Sequence, residues 1–140
     1  MFGFGSANNG GGTDGQEFTF DAVPATAGQF IYVASESDGF TAFFGFAPDY
    51  TSNAAGNNGD DAIELFENGN VIDTFGDINT DGNGEPWEYL DGWASRLAPS
   101  GPDGATFVLD NWVFSGANAL DGETTNDTAV TPCPFGTYWH

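Results

Sequence analysis

Six residues between positions 77 and 88 have a spacing that suggests cation binding. Counted from Asp77 as position 1, oxygen-bearing side chains occupy positions 1, 3, 5, 9 and 12, Gly82 occupies position 6, and Asn83 offers a carbonyl oxygen at position 7. This is the ligand order of the EF-hand calcium loop, in which the glycine permits a sharp turn. The predicted ligands of Ca2+ are Asp77, Asn79, Asp81, Asn83 through its carbonyl oxygen, Glu85 and Glu88.

This segment, here called the acidic loop (77–88), departs from a complete EF-hand at two positions. Position 8 is Gly84 rather than an aliphatic residue, and Pro86 with its strand-like flanks excludes the usual pair of helices. We therefore predict calcium ligands on a β-scaffold, with carboxylates that repel one another until a metal binds. The alternative is a solvated acidic turn. The nearby Asp60 and Asp61 either add a ligand or form a turn, and we favour the turn.

The charge balance of the chain limits its partners. The 140 residues include 21 acidic side chains, no lysine and one arginine, Arg96, which gives a formal net charge of −20. Such a chain cannot neutralise phosphates, so we predict no unaided binding to nucleic acid or to anionic lipid. Salt screens the self-repulsion between these charges, which favours a marine, extracellular or lumenal setting. No apolar run approaches the length of a membrane span.

Side chains suited to catalysis are scarce. His140 is the last residue, Cys133 stands alone between two prolines, and no serine has an evident partner base. No particular pair of carboxylates stands out as a glycosidase pair. We therefore predict that the protein is not an enzyme. The single cysteine excludes an intrachain disulfide and leaves a free or intermolecularly paired thiol.

A hairpin precedes the acidic loop and is the strongest local structural signal. Residues 62–67 and 70–75 are rich in strand formers, and Asn68-Gly69 between them suits a type I′ turn. A regular register places Phe66 opposite Val71, Leu65 opposite Ile72, Ile63 opposite Thr74 and Glu64 opposite Asp73. The two facing carboxylates then stay solvated, which we favour, or meet Arg96 or a cation.

Short segments make up the rest of a single domain spanning residues 1–140. Strands are predicted at 17–21, 29–34, 87–90, 94–97, 106–109 and 112–115, and one or two helical turns, rather than a strand, within 37–46. Residues 1–15 read as a Gly/Asn-rich loop and 116–140 as an irregular tail. Trp87, Trp93 and Trp112 form either a sugar platform or core, and we favour core. The pattern predicts an all-β fold, an antiparallel β-sandwich with long acidic loops and at most one short helix.

Two segments, residues 58–77 and 87–96, read NGDDAIELFENGNVIDTFGD and WEYLDGWASR. They resemble the bacterial lamin-tail-like domains, with similarity extending over about residues 28 to 120. Those domains are immunoglobulin-like β-sandwiches on secreted or surface proteins, often beside extracellular nucleases and in marine bacteria. The resemblance implies an immunoglobulin-like sandwich, a non-catalytic role and an extracellular address.

The chain differs from that family at its start. The family's first strands have no counterpart before Met1-Phe2. Either the chain is a fragment, or a partner adds the missing strand at an open sheet edge. No nuclease domain accompanies the segment, so nuclease activity does not carry over.

Three functions follow from these observations. The leading one is a non-catalytic, calcium-binding, extracellular β-sandwich that mediates adhesion or protein assembly. The second is a structural subunit of a larger complex that docks through an open sheet edge. The third is an accessory fragment of a secreted nuclease or polysaccharide hydrolase.

Overall fold

The computed structural model describes residues 1–136, so residues 137–140 of the predicted irregular tail, His140 among them, lie outside the described residues. Within 1–136 the fold is all-β, with strands mostly in antiparallel sheets and one α-helix. The elements are β1 (Phe2–Ala7), β2 (Phe18–Thr19), β3 (Val33–Ala34), α1 (Ser37–Phe44), β4 (Tyr50–Thr51), β5 (Ala62–Glu67), β6 (Asn70–Phe75), β7 (Ala94–Arg96) and β8 (Trp112–Phe114).

Three sheets divide these strands. The largest has the order β2-β1-β5-β6 with antiparallel neighbours, while β7 pairs antiparallel with β8 and β3 pairs parallel with β4. Aromatic rings fill the space around Phe75, which contacts the rings of Trp87, Tyr89, Phe107, Trp112 and Phe114. Trp87 and Trp93 are 4% and 7% exposed, which confirms the core interpretation for these two residues.

The N-terminus corrects the prediction of a loop over residues 1–15. Phe2–Ala7 forms β1, which lies between β2 and β5 and pairs with β5 over its whole length. A Cβ on Gly5 would lie 2.0 Å from the carbonyl oxygen of Gly15, and a Cβ on Gly3 would lie 2.1 Å from that of Phe18. The glycines therefore let a second backbone segment lie directly on a strand, which is a known use of glycine within sheets.

The expected open edge is partly covered. Strand β1, from the start of the chain, lies between β2 and β5, so the edges of this sheet belong to β2 and β6. On β6, the amide of Gly104 donates to the carbonyl of Ile72 at 3.0 Å, and the Thr74 hydroxyl donates to the carbonyl of Gly104 at 2.9 Å. A crossing segment of the chain thus already occupies part of the β6 edge.

The hairpin of β5 and β6 has the predicted turn but a different register. Asn68 and Gly69 have φ values of 51° and 80°, as a type I′ turn requires, and Phe66 lies opposite Val71 as predicted. A β-bulge between Leu65 and Phe66 then shifts the pairing by one residue. The pairs beyond it are Leu65 with Asp73, Glu64 with Thr74 and Ile63 with Phe75. The predicted pairing of Glu64 with Asp73 is therefore wrong.

The predicted helical turns are present as α1. The Glu36 side chain accepts hydrogen bonds from the amides of Asp38 and Gly39 at 2.8 Å each, and Gly45 ends the helix with φ 81°. No residue of α1 is fully buried. Its aromatic face instead contacts neighbouring rings, with Phe40 against Tyr32 and Phe44 against Phe135.

Two predicted strands are turns. Residues 87–90 and 106–109 lie outside every sheet, and of the predicted strands 17–21 and 29–34 only Phe18–Thr19 and Val33–Ala34 pair. In the first case Tyr89 donates from its amide to the carbonyl of Gly59 at 2.8 Å. Rings in these segments, such as those of Trp87, Tyr89 and Phe107, reach the core around Phe75 from backbone that is not in a strand. A short apolar segment between turn residues therefore did not by itself establish a strand.

The tail from residue 116 to residue 136 is irregular apart from a short 3-10 turn at Asn126–Thr128, as predicted. Asn126 is 4% exposed, and its side-chain amide exchanges two hydrogen bonds with the backbone of Cys133 at 2.7 and 3.1 Å. Trp93 also holds the tail, through a hydrogen bond from its Nε1 to the carbonyl of Thr131 at 3.0 Å. Among the described residues, no helix is long and apolar enough to cross a membrane.

Candidate functional site

The acidic loop (77–88) begins two residues after β6 and folds back on itself through its own carboxylates. Asp77 accepts hydrogen bonds from the amide of Asn79 and the hydroxyl of Thr80, both at 2.9 Å. Asp81 accepts from the amide of Asn83, and Glu88 from the amide of Gly84, both at 3.0 Å. These are local turn contacts of the kind that Asp and Glu form readily.

Gly82 is needed for close packing rather than for a left-handed backbone. A Cβ there would lie 2.5 Å from the indole of Trp87 and 2.6 Å from the carbonyl oxygen of Asp60. The Gly82 amide donates to that same carbonyl at 3.0 Å. The loop therefore curls over the buried Trp87 ring and is tied to Asp60, whereas the positive φ in this loop, 80°, belongs to Gly84.

Residues 8–12, here called the N-terminal tract, contact the acidic loop and Asp61. The amide of Gly12 donates to the carbonyl of Ile78 at 2.8 Å, and a Cβ on Gly10 would lie 2.6 Å from the amide nitrogen of Asp81. The amide of Asn9 donates to Asp61 at 3.0 Å. The sequence did not predict the contact between residues 9–12 and the acidic loop, because the two segments are far apart along the chain.

The structure places the predicted ligands on the surface of this loop. Glu88 is half-buried, and the other five, Asp77, Asn79, Asp81, Asn83 and Glu85, are exposed. Within residues 1–136, no three acidic, histidine or cysteine side chains stand close enough together to hold a metal ion. The side chains are thus brought to one loop without converging on one point.

Asp60 joins the loop from the segment before β5. Its Oδ1 atom is buried and has no hydrogen-bond partner among the described residues. Burial raises the pKa of Asp60, and the charges of Asp61, Asp81 and Glu88 raise it further. These four residues, here called the Asp60 cluster, form a local concentration of negative charge. The sequence favoured a turn at Asp60 and Asp61, so neither residue belongs to the predicted ligand set.

Arg96 lies in a separate network, which joins β7 to strand β6 of the hairpin. Its Nη2 is 2.5 Å from both carboxylate oxygens of Asp73, its Nη1 is 2.8 Å from Asp103, and its guanidinium lies 4.4 Å from the centre of the Trp112 ring. Hydrogen bonds from Arg96 and then Asn111 lower the pKa of Asp103. Of the three alternatives for the hairpin carboxylates, contact with Arg96 therefore holds for Asp73, and the solvated one that we favoured does not.

Cys133 is the one thiol of the chain and is half-buried. Burial raises its pKa, so the reactive thiolate is less populated than in an exposed cysteine.

Comparison with known proteins found no matching family model, no matching curated protein and no matching solved structure. The resemblance to lamin-tail-like domains therefore rests on residues 58–77 and 87–96 alone.

Proposed function

We propose that this protein is a non-catalytic, calcium-binding module of immunoglobulin-like β-sandwich type that mediates adhesion or protein assembly outside the cell. The observation that carries the proposal is the buried, unpartnered Oδ1 atom of Asp60 beside Asp61, Asp81 and Glu88. A buried carboxylate oxygen without a donor is costly unless something positive reaches it. The one arginine is engaged with Asp73 and Asp103, so a cation from solution is the natural counter-ion.

Calcium suits this cluster better than a smaller or softer metal. Ca2+ takes six to eight oxygen ligands in flexible geometry and accepts carboxylates, carbonyls and water. Asp81 and Glu88 each use one carboxylate oxygen in a turn hydrogen bond, and the other is free to turn toward an ion. In this proposal the exposed Asp81 side chain rotates toward Asp60, and the half-buried Glu88 completes the carboxylate set.

The resemblance to lamin-tail-like domains supports the extracellular and assembly parts of the proposal. A calcium ion would offset part of the net charge and fix the acidic loop against the N-terminal tract, giving a rigid surface for a partner. Calcium levels are high outside cells, where weak sites of this kind are filled.

The test is a calcium titration by calorimetry, with thermal melts in calcium and in chelator. We expect saturable heat and, at about 100 times the dissociation constant, a rise in melting temperature of roughly 10 °C. Asp60→Asn and Asp81→Asn should abolish both effects. Asp127→Asn removes the same charge from an exposed position in the tail and should retain both. Equal loss in all three variants would show diffuse charge screening instead of a site, and absence of heat from the native chain would refute the proposal.

The Asp60→Asn variant should also behave differently in chelator. A carboxyl whose pKa is raised by folding stabilises the fold when protonated, below its unfolded pKa of about 3.9, and this contribution is lost as the pH rises through the folded pKa. Relative to acid, the metal-free protein is therefore less stable at pH 7 through this group. We expect Asp60→Asn to melt at a higher temperature than the native chain in chelator, while it no longer responds to calcium. A lower melting temperature in chelator would contradict this account of Asp60.

A further inference from the structure

A cleft of about 430 Å³ lies between the segment that precedes β5, the turn at residues 89–92 and the tail. Its walls include Asn57 and Asn58 from the first segment, Leu90 and Asp91 from the turn, and Leu120 from the tail. The volume falls in the usual range of ligand clefts, roughly 300 to 1,000 Å³. No residue of the Asp60 cluster lines this cleft, so it is separate from the proposed calcium site.

Backbone contacts hold the walls of the cleft together. The amide of Asn118 donates to the carbonyl of Leu90 at 2.7 Å. The amide of Leu120 donates to the carbonyl of Asp91, also at 2.7 Å. A Cβ on Gly59 would lie 2.3 Å from the Cα atom of Leu90, so the first segment and the turn are in direct backbone contact. The cleft is therefore largely preformed, as ligand sites usually are.

Two polar side chains of the cleft are accessible and unpaired. Asn58 and Asp91 are exposed, and neither side chain makes a hydrogen bond or ion pair with another described residue. The Oδ1 atom of Asn57 is buried, so the groups that a ligand can reach are the Asn58 amide and the Asp91 carboxylate. Asp91 also has a φ of 44°. This left-handed conformation is uncommon outside glycine, and such residues cluster at ligand sites.

The chemistry of these groups favours a neutral ligand with several hydroxyl groups. The Asn58 amide both donates and accepts hydrogen bonds, and the Asp91 carboxylate accepts them, which matches hydroxyls that can do both. Leu90 and Leu120 offer apolar surface to the C–H groups of a sugar ring. The Asp91 charge and the net charge of −20 disfavour an anion. A metal ion is disfavoured because no three acidic, histidine or cysteine side chains within residues 1–136 stand close enough to hold one.

We propose that this cleft binds a neutral hexose unit of a glycan. The Asp91 carboxylate accepts hydrogen bonds from hydroxyl groups of the sugar, and the Asn58 amide binds a neighbouring hydroxyl. The C–H face of the ring lies against Leu90 and Leu120. This inference goes beyond the proposed function, since it assigns a ligand to a second surface and requires no calcium.

The test titrates the methyl glycosides of glucose, galactose and mannose into ¹⁵N-labelled full-length protein in chelator, so that the result does not depend on calcium. We expect at least one of them to shift the amide resonances of residues 57–59 and 89–92 saturably, with a Kd on the order of 1 mM. The tetra-O-methyl derivative of the same glycoside cannot donate to Asp91, so it should bind at least about tenfold more weakly. The corresponding uronic acid, which is negatively charged, should not bind.

Two variants test the residues, with circular dichroism as the check that each folds. Asp91→Asn keeps the size of the side chain and tolerates the left-handed backbone, but replaces a charged acceptor, so it should weaken binding about tenfold. Asn58→Ala should weaken it roughly three- to tenfold. Asp127→Asn removes the same charge from an exposed position in the tail and should leave the affinity unchanged.

Three results would each overturn the proposal. The first is that none of the three glycosides causes a saturable shift of these resonances. The second is that the tetra-O-methyl derivative binds as tightly as the parent glycoside. The third is that Asp91→Asn and Asp127→Asn change the affinity equally, which would make net charge rather than the cleft responsible.

Discussion

Replacing Arg96 by methionine is expected to lower the free energy of unfolding by about 3 kcal/mol, the usual cost of removing one partner from a buried ion pair. The Arg96 side chain is 10% exposed and that of Asp73 is 19% exposed, so water cannot replace the lost contact well. Both oxygens of Asp73 lie 2.5 Å from Nη2. Methionine keeps some of the packing on Trp112 but leaves Asp73 and Asp103 facing each other without a cation. Urea unfolding followed by tryptophan fluorescence measures the effect.

A triple variant is the matched control. Asp73→Asn and Asp103→Asn, combined with Arg96→Met, remove the charge of all three groups, and we expect most of the lost stability to return. Arg96→Lys should fall between the native chain and Arg96→Met, because lysine restores the charge without the paired hydrogen bonds. Native stability in Arg96→Met would show that water solvates Asp73 and Asp103, which is the alternative that we favoured from the sequence for Asp73.

The dependence of unfolding free energy on pH tests the role of Arg96 in a second way. Hydrogen bonds from Arg96 and Asn111 lower the pKa of Asp103 in the fold. A carboxyl whose pKa is lowered by folding contributes stability above its unfolded pKa of about 3.9, and this contribution is lost as the pH falls through the folded pKa. The native chain should therefore lose stability in acid through this group. Arg96→Met should show a shallower loss over the same range.

In the hairpin, the turn is determined by neighbouring residues and the register is not. Its turn follows from two adjacent residues, Asn68 and Gly69, whose backbone preferences select type I′ without help from the rest of the chain. Its register depends on a bulge between Leu65 and Phe66, and neither residue type predicts a bulge. Because of the bulge, Asp73 lies opposite Leu65 instead of Glu64. Its carboxylate binds Arg96 of β7, which is 23 residues further along the chain. Pairing across such distances depends on the assembled sheets.

The candidate site likewise depends on a tertiary contact that the acidic loop sequence does not reveal. Spacing identified a loop rich in oxygen ligands, and the local hydrogen bonds of Asp77, Asp81 and Glu88 follow from residues within a few positions. The buried oxygen that carries the proposal belongs to Asp60, which reaches the loop through the hydrogen bond between its carbonyl and Gly82. A linear ligand pattern cannot include a residue that tertiary contact supplies.

The N-terminal segment shows how composition can mislead. Glycine is enriched in turns, and the run of glycine and asparagine therefore predicted a loop. Phe2, Phe4 and Ser6 alternate with Gly3 and Gly5, however, which is also the pattern of a strand with one face open to close approach. Residues 15–18 lie on that face, and the Glu17 carboxylate accepts hydrogen bonds from the amide and hydroxyl of Ser6 at 2.8 and 3.1 Å.

Gly5→Ala is therefore expected to destabilise the protein by about 3 kcal/mol, at the upper end of the usual cost of overpacking. The new Cβ would lie 2.0 Å from the carbonyl oxygen of Gly15, a backbone atom that cannot rotate away as a side chain would. To relieve the clash, the segment must lift off β1 and strain the Ser6 contacts to Glu17. Urea unfolding gives the stability change, and hydrogen exchange of the β1 amides locates it.

Gly11→Ala is the control, since Gly11 also lies within residues 1–15, which were predicted to form a loop. Gly11 has φ −76°, which alanine adopts freely, and the nearest atom to a new Cβ is the Asn8 carbonyl oxygen at 3.2 Å. We expect a change within about 0.5 kcal/mol, as for most surface substitutions. If Gly5→Ala were equally mild, residues 15–18 would not be held against β1 and the glycines would have no steric role. A large effect at Gly5 alone would show that residues 1–15, predicted to be a loop, supply a central strand. Alanine adopts extended backbone well, so it destabilises the protein at this position only if another backbone segment lies in contact.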